Sequence, residues 1–346
     1  MNTTEFMLQL AHNLVTERKI TESSANAYVK VLYAVNDKKP FKNLTFLKAV
    51  DTIMERVGHY AESTQRAILA SIVSVLTAQK DKPTFKKAYT HYYEEMMKRS
   101  KAAREEDSKN EKTEVQKKNW VEWSVVEEKR NQLYEEVARM ASKKVLAASE
   151  YEKLLMLVVL ALYTEIQPRR NQDYLDMYIV KKWKEDMPAD KNYLDISTKR
   201  FIFHRYKTSK KYGTQIEEIP ERLWERLSLY LKHHPVWKGA AKRGTTPIKL
   251  LVTHDGSPIV AKNAITRILN KVFGKRIGSS MLRHIFLSSK YGNTLEEMKK
   301  DSDAMGHSLG VQKSYIKKDD APAEMTGNGP YLEISPNVEQ QSAPPS

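Results

Sequence analysis

The stretch LLMLVVLALYTEIQPRRNQDYLDM, residues 154–177, joins the longest apolar run of the chain to a polar segment that contains two adjacent arginines. Its apolar part, Leu154–Tyr163, is too short to cross a bilayer, because a membrane-spanning helix needs ~20 apolar residues. A continuous apolar run with a helical length is typical of a helix buried on all sides. We therefore predict a core helix over about 150–164, directly followed by Arg169 and Arg170.

Beyond this segment the hydrophobic pattern changes from helical to extended. From Asn192 onward, β-branched and aromatic residues form short runs separated by polar turns. These runs predict three short strands, NYLDIS, RFIFHRYKTS and TQIEEIP. The turns between them contain Lys199, Lys207, Lys210 and Lys211.

Helical patterns lie on both sides of the predicted strands. The segment NWVEWSVVEEKRNQLYEEV begins at Asn119, and Ser124 with Glu127 matches a capping box. Helical patterns resume from about Glu221 and continue to about Lys318. Between them, His233 and His234 precede a proline, and we expect a solvated loop there. Residues 119–320 thus predict a mixed α+β domain, mainly helical, with a small antiparallel sheet.

The region before Asn119 predicts a separate helical domain. Residues 1–98 contain three amphipathic stripes at helical spacing, the first preceded by Thr21 as a candidate N-cap. Residues 99–118 contain charges of both signs and almost no apolar side chains, which predicts a charged linker or a solvated helix and, in either case, a domain boundary. The proline-rich polar segment 321–346 predicts a flexible tail.

The charge balance favours a polyanionic partner. The chain has 58 Lys and Arg against 43 Asp and Glu, a formal net charge of +15. Nucleic acid is the commonest partner of so basic a protein, although a merely basic soluble protein has the same composition. The chain contains no cysteine, which excludes disulfides and thiol catalysis. The N-terminus does not match a signal peptide, so we expect an intracellular protein located with its nucleic acid.

Three separated segments of the second domain hold residue types that act on phosphodiesters. The first contains Arg169 and Arg170, and the second, HRYKTSKKYG, contains Lys207 at the end of a predicted strand. The third runs from SSMLRHIFLSS to DAMGHSLGVQKSYIKK and contains Arg283, His284, His307 and Tyr315. A tyrosine on a basic helix is ordinary by itself, so the interpretation depends on the whole set.

Over about residues 119–318, these segments resemble the motif boxes of the tyrosine recombinase, or phage integrase, family. The matching features are an arginine with an acid three positions later (Arg170, Asp173), a lysine in a β-hairpin (Lys207), L-R-H (282–284) and G-H-S (306–308). The family's nucleophilic tyrosine lies eight to ten positions after the histidine of G-H-S, and Tyr315 lies eight positions after His307. The motif P-R-R-x-x-D-Y most resembles that of recombinases of eukaryotic DNA viruses and mobile elements.

The resemblance implies an enzyme that cuts and rejoins duplex DNA through a 3′-phosphotyrosyl intermediate at Tyr315. It implies protomers that pair on specific recombination sites, as a tetramer, and exchange strands through Holliday junctions. The helical region 1–98 resembles the family's core-binding domain, so we expect two domains that grip the duplex from two faces.

These residue types suit the chemistry on physical grounds. Attack on a phosphodiester concentrates negative charge on the non-bridging oxygens, and two arginines can bind those oxygens through bidentate contacts. A tyrosine phenol can form a covalent phosphotyrosine that conserves the bond for religation. A lysine beside the cleaved bond can protonate the leaving 5′-oxygen. Neither a metal ion nor a nucleotide is required in this scheme.

Several assignments stay open at the level of sequence. Arg169 competes with Arg170, and the acid at Asp173, which the resemblance implies braces the local fold, favours Arg170. Lys210 and Lys211 compete with Lys207, and the family's preference for lysine before the turn favours Lys207. We expect His307 to bind or position the phosphate.

The group that deprotonates the tyrosine is also open. The family often has a histidine or lysine three residues before its second arginine, and Ser280 occupies that place here. Serine is a poor base, so His307 is a candidate for part of that role. We expect His284 to be a structural partner behind Arg283.

Other functions fit the same residues. A type IB topoisomerase relaxes supercoiled DNA with nearly the same set, and a non-catalytic DNA-binding protein could retain the scaffold. Base readout depends on side-chain geometry, so the DNA target does not follow from the sequence. Lys82, Lys86 and Lys87 are candidate contacts to the DNA backbone in the first domain.

Overall fold

A computed structural model describes residues 4–245 and 247–315, and the side chains of 313–315 lie outside that description. The chain divides between Glu114 and Val115 into two compact units. The tail predicted at 321–346 lies outside the described residues. Each unit has its own hydrophobic core.

The first unit is entirely helical over its described residues. Its helices are α1 (Glu5–Thr16), α2 (Glu22–Val35), α3 (Val50–Gly58), α4 (Glu62–Leu76) and α5 (Pro83–Ser108). The Thr21 side chain accepts a hydrogen bond from the Ser24 amide and caps α2, as predicted. Ala25, Val29, Leu32 and Val35 of α2 are buried, which confirms the predicted stripe.

Helix α5 crosses the boundary that the sequence predicted at residue 98. It runs for 26 residues to Ser108, so residues 99–108 of the predicted linker belong to a helix of the first unit. Pro83 occupies the first turn, where its missing amide proton costs nothing. Glu95 and Arg99 form an ion pair one turn apart. Charges of both signs at this spacing stabilise a solvated helix, and the composition alone did not distinguish such a helix from a linker.

The second unit surrounds the apolar stretch 154–163. Its helices are α6 (Glu114–Asn119), α7 (Trp123–Ala138), α8 (Ala148–Ala161), α9 (Asn171–Leu175), α10 (Ser209–Tyr212), α11 (Glu221–His233), α12 (Trp237–Arg243), α13 (Ala264–Phe273), α14 (Ser279–Ala304) and α15 (Leu309–Tyr315). All residues from Leu154 to Tyr163 are buried, which confirms the predicted core helix. Within the described part of the chain, no helix has the length and apolarity that crossing a bilayer requires.

Two local predictions in this unit are wrong. Helix α7 begins at Trp123, so Ser124 lies inside the helix and does not cap it. An acidic N-terminal contact occurs instead at α8, where the Glu150 carboxylate accepts a hydrogen bond of 2.9 Å from the Ala147 amide. His234, expected in a solvated loop, is buried and accepts hydrogen bonds at Nδ1 from the amides of Val236 and Trp237.

A small sheet is inserted between the helices. Its strands are β1 (Met177–Val180), β2 (Asn192–Asp195), β3 (Arg200–Phe203), β4 (Gln215–Glu218) and β5 (Ile248–Lys249), in the order β4-β3-β2-β1-β5. The three predicted strands correspond to β2, β3 and β4, which pair antiparallel. The sheet is mixed rather than antiparallel, because β1 pairs parallel with β2. The buried run MYIV of β1 carries no alternation that would have marked it as a strand.

Candidate functional site

Two arginines from distant parts of the sequence lie close together in the second unit. Arg170 is the N-cap residue of α9, and Arg283 lies in the first turns of α14. Burial lowers the pKa of the Arg283 guanidinium, and the positive charge of Arg170 lowers it further. Among the residues that the structure describes, no carboxylate forms an ion pair with either guanidinium. Tyr163 and the Asp173 carboxylate oppose this lowering of the pKa. Two half-buried cations that repel each other are suited to binding an anion.

Arg169, the alternative to Arg170, points into a different environment. Its Nε lies 3.2 Å from the Asp173 carboxylate, and its Nη2 donates a hydrogen bond of 3.0 Å to Gln215 of β4. Its guanidinium stacks on the Phe203 ring at 3.7 Å from the centroid. Contacting a phosphate would require Arg169 to leave these partners. The geometry therefore favours Arg170 as the arginine that faces a ligand.

Two carboxylates flank Arg169, that of Asp173, which is buried, and that of Glu217, which is partly buried. Asp173 accepts the hydrogen bond from Arg169, and Glu217 lies 3.8 Å from the same guanidinium. Burial raises the pKa of both carboxyl groups, and the charge of Arg169 opposes this rise. In the described structure one oxygen of each, Oδ1 of Asp173 and Oε2 of Glu217, is buried without a hydrogen-bond partner. Arg169 is thus the cation that makes both carboxylates tolerable.

A second buried ion network holds the segment just before the two arginines. Glu165 lies between Arg130 of α7 and Arg226 of α11, at 3.2 Å and 3.4 Å from their Nε atoms. The Arg226 guanidinium also lies over the Tyr134 ring at 4.5 Å. These contacts fix the end of α8 to two neighbouring helices. The buried ion pairs of Glu165 could not be predicted from the sequence, because nothing near this residue identifies its distant partners.

Asn171, next to Arg170 in the sequence, belongs to a chain of hydrogen-bonded polar side chains. The Tyr163 hydroxyl donates a hydrogen bond of 2.8 Å to Asn171, whose amide donates one of 2.9 Å to Thr266 of α13. Burial raises the pKa of Tyr163, so this tyrosine is a neutral hydrogen-bond donor. Asn171 follows Arg170 directly and therefore holds the first turn of α9. We call residues 169–173 together with Arg283 the arginine corner.

The hairpin between β3 and β4 carries the three candidate lysines. Lys207 lies in the turn, and Lys210 and Lys211 lie on α10. All three are exposed, so each remains a candidate for the proton donor or for a DNA contact. The Tyr206 hydroxyl donates a hydrogen bond of 2.8 Å to the Gly213 carbonyl and closes the base of this turn.

Asn192 joins the hairpin to the arginine corner. Its side-chain amide donates to the carbonyls of Asp173 and Arg205, at 2.8 Å and 2.9 Å. Its Oδ1 accepts the Arg205 amide at 2.8 Å. Because Asn192 is fully buried, the start of α9 and the end of β3 are fixed to one rigid side chain. The sequence predicts only that Asn192 lies in a strand, because its bridging hydrogen bonds are to residues 13 and 19 positions away.

The residues around Arg283 only partly match expectation. Ser280, which stands where a histidine or lysine was expected, is exposed on the first turn of α14. His284 is exposed as well, so the expectation of a structural partner packed behind Arg283 is wrong. The neighbouring buried polar residue is Ser279, close to Tyr163.

His307 does not join the arginine corner. Helix α14, which contains L-R-H, continues without interruption from Ser279 to Ala304. At ~1.5 Å per residue, its end lies about 30 Å along the helix axis from Arg283. Gly306, with a φ of +74°, then turns the chain into α15. Tyr315 is the last residue of α15, and its side chain lies outside the described residues.

The candidate DNA contacts of the first unit lie at the start of α5. Lys82 precedes the helix as its N-cap residue, and Lys86 and Lys87 lie in its first turns. All three are exposed. Lys48 lies over the Phe85 ring at 4.7 Å, which adds a fourth cation to this surface.

No known family model, curated protein or solved structure matches this chain. Within residues 4–245 and 247–315, no three histidine, aspartate or glutamate residues are grouped as a metal site. The candidate site thus comprises the arginine corner, the hairpin that contains Lys207, Lys210 and Lys211, and the segment that contains His307 and Tyr315.

Proposed function

We propose that this protein cleaves and rejoins duplex DNA by tyrosine-recombinase chemistry, with Tyr315 as the nucleophile. The observation that carries the proposal is the pair of Arg170 and Arg283. These two residues come from separate motif boxes more than a hundred positions apart and interact electrostatically, and among the described residues neither forms an ion pair, although the Asp173 carboxylate lies near enough to act on Arg283. A pair of this kind is suited to the two non-bridging oxygens of a phosphodiester.

In this scheme the Tyr315 oxygen attacks the phosphorus and the bond to the 5′-oxygen breaks. The product is a 3′-phosphotyrosyl ester and a free 5′-hydroxyl. Lys207, or one of its neighbours Lys210 and Lys211, supplies the proton that the leaving oxygen needs. The phenol proton passes to a base, for which His307 is the candidate. The reverse attack by a 5′-hydroxyl from a second duplex completes recombination.

Affinity for DNA would come mainly from the charge of the chain. The excess of lysine and arginine gives a net charge of +15. Neutralising phosphates releases condensed counterions, so we expect the binding constant to fall steeply with salt concentration. The exposed lysines of the hairpin and of the start of α5 are the proposed phosphate contacts. Pairing of protomers on two sites belongs to the same proposal.

The decisive experiment traps the covalent intermediate. Tyr315→Phe is first used to select bound duplexes from a randomised pool, and the selected duplexes are then nicked to make suicide substrates. Wild type is expected to form a covalent adduct that maps to Tyr315, and Tyr315→Phe to form none. Tyr291→Phe, on α14, is the matched control and should retain the adduct.

A non-catalytic DNA-binding protein is the second candidate. The observation in its favour is the distance of about 30 Å along α14 between Arg283 and the turn that contains His307. Binding of the selected duplexes by wild type without any adduct would leave only this candidate. Relaxation of supercoiled plasmids without recombinants would instead indicate a topoisomerase.

A further inference from the structure

The Arg169 side chain lies under the end of the hairpin that carries the candidate lysines. The last paired residues of this hairpin before its turn are Phe203 of β3 and Gln215 of β4. The Arg169 guanidinium contacts both, since it stacks on the Phe203 ring at 3.7 Å from the centroid and donates a hydrogen bond of 3.0 Å to Gln215. The centroid of the Tyr206 ring, at the beginning of the turn, lies 5.3 Å from the same guanidinium. One side chain thus supports both legs of the hairpin where they leave the sheet.

The backbone of Arg169 belongs to the arginine corner. Arg170, the proposed phosphate contact, is the next residue, and consecutive Cα atoms are about 3.8 Å apart. The Arg169 Nε also donates a hydrogen bond of 3.2 Å to Asp173 in the first turn of α9. Fixing the Arg169 guanidinium therefore fixes the start of the segment that presents Arg170. Arg169 connects the phosphate-binding arginine to the hairpin within a single residue.

Two side chains hold the two legs of the hairpin. Asn192 is hydrogen-bonded to the backbone of Arg205, just after β3, whereas Arg169 contacts β4 through Gln215. Five of the six residues 207–212 are exposed. An exposed segment has few buried contacts of its own and is positioned mainly by the structure at its base. The placement of the lysines therefore depends on both anchored legs.

Charge neutralisation does not account for all the contacts of Arg169. Asp173 and Glu217 need a nearby cation, because burial raises the pKa of both carboxyl groups. The ammonium group of a lysine would supply that charge. Stacking on Phe203 while donating to Asp173 and Gln215 requires a planar guanidinium with its N–H donors in a fixed fork. A lysine at this position would therefore retain the charge and lose the support of the hairpin.

We propose that Arg169 is a positioning residue that holds the lysine of the hairpin beside the phosphate bound by Arg170 and Arg283, where this lysine protonates the leaving 5′-oxygen. The inference rests on the proposed function, because it concerns the proton donor of that reaction. When the bond from phosphorus to the 5′-oxygen breaks, the oxygen keeps the electron pair and takes a proton from the lysine ammonium. The products are a 5′-hydroxyl and a neutral amine. Misplacing a reacting group by about 1 Å lowers a rate by about 10²-fold.

A leaving group that needs no proton tests this role. Wild-type adducts on the selected suicide duplexes map the cleaved bond, and the bridging 5′-oxygen at that bond is then replaced by sulfur. A thiol ionises with a pKa of about 8.5, so the sulfur leaves as a thiolate without taking a proton. Arg169→Lys is expected to lower the rate of adduct formation about 10²-fold on the oxygen duplex and to react with the sulfur duplex at about the wild-type rate. Equal losses on both duplexes would overturn the proposal.

A second variant tests the same contact from the side of the hairpin. Gln215→Val removes the hydrogen-bond acceptor on β4 and leaves Asp173 and Glu217 with their cation. We expect a loss of about tenfold on the oxygen duplex, the effect of one hydrogen bond to a charged group, and none on the sulfur duplex. Glu218→Gln, at an exposed residue of the same strand, is the matched control and should leave both rates unchanged. Equal losses in Gln215→Val and Glu218→Gln would mean that the strand as a whole, rather than Arg169, determines the rate.

A measurement on the free protein separates the possible failures. The chain contains no cysteine, so Thr208→Cys, at an exposed position of the hairpin, carries a single spin label. Arg169→Lys and Gln215→Val are expected to increase the mobility of this label, whereas Glu218→Gln should not. Unchanged mobility in the first two variants would overturn the positioning role even where wild type forms adducts. Increased mobility without any wild-type adduct would refute the proposed function and leave the link between Arg169 and the hairpin supported.

Discussion

The arginine corner and residues 301–312, which we call the hook, differ in the contacts that the structure describes for them. Arg169, Asp173 and Asn192 are fixed by contacts to strands and helices far away in the sequence. The hydrogen bonds described for the hook join residues within its own twelve positions. The difference indicates that the arginine corner is fixed by long-range contacts, whereas the hydrogen bonds described for the hook are local. Long-range contacts give precise placement, and local contacts allow relocation.

The largest expected effect is on the arginine corner. Arg283→Ala should lower the rate of adduct formation on a selected suicide substrate by about 10²–10³, because it removes a fixed donor to the phosphate. Arg276→Ala, at an exposed arginine before α14, is the matched control. Comparable losses in both variants would mean that general charge, rather than the arginine corner, determines the rate.

The two neighbouring arginines should respond in different ways. Arg169→Met leaves the buried Asp173 carboxylate and the partly buried Glu217 carboxylate without their cation and should reduce the free energy of unfolding by about 3 kcal/mol. Arg170→Ala should change stability much less and weaken DNA binding instead. All five tryptophans lie in the second unit, so tryptophan fluorescence during urea unfolding reports on this unit alone. Equal destabilisation by both variants would contradict the assignment of roles.

The packed part of the second unit also predicts a pH dependence. Burial lowers the pKa of His234 from 6.5 to about 4, opposed by hydrogen bonding to the backbone of Lys249. The neutral form is favoured in the folded state, so its stabilisation is complete above pH 6.5 and is lost as the pH falls towards 4. The loss amounts to about 3 kcal/mol. Urea unfolding from pH 7 to pH 4 measures it, and His234→Asn should flatten this part of the profile.

The smallest effect is expected in the hook. Gln312→Ala removes the buried hydrogen bond to Ser302, which contributes about 1 kcal/mol. Hydrogen exchange at the His307 amide should become about fivefold faster, while exchange in α8 stays the same. Faster exchange in both regions would mean that the hook is not an independent unit.

The elements that could be predicted from sequence are those whose pattern is local. The run 154–163 identifies α8, and Thr21 with its stripe identifies α2, because the residues that decide each helix lie inside it. Strands β1 and β5 were missed, since their short runs become strands only by pairing with β2 and with each other. The charged segment 99–108 could not be assigned to a helix from its sequence alone, because a solvated helix and a linker share one composition.

The candidate site likewise has residues that could be predicted from the sequence and others that could not. Arg170 and Arg283 could be selected from their motifs, but which of the two adjacent arginines faces a ligand depends on Gln215 and Glu217, which lie far along the chain. The continuous form of α14 could not be foreseen, because Gly292 and Thr294 favour a break. The Tyr315 side chain lies outside the described residues, so its role stays a prediction.

The hydrogen bond from Tyr206 to the Gly213 carbonyl has a practical consequence. It closes the hairpin below residues 207–212, and Asn192 anchors the chain just before it. The six residues above this closure can therefore be exchanged as a cassette while the arginine corner keeps its framework. Cassettes with the lysines in other positions would show which position along the hairpin allows a lysine to reach the leaving oxygen of the proposed reaction.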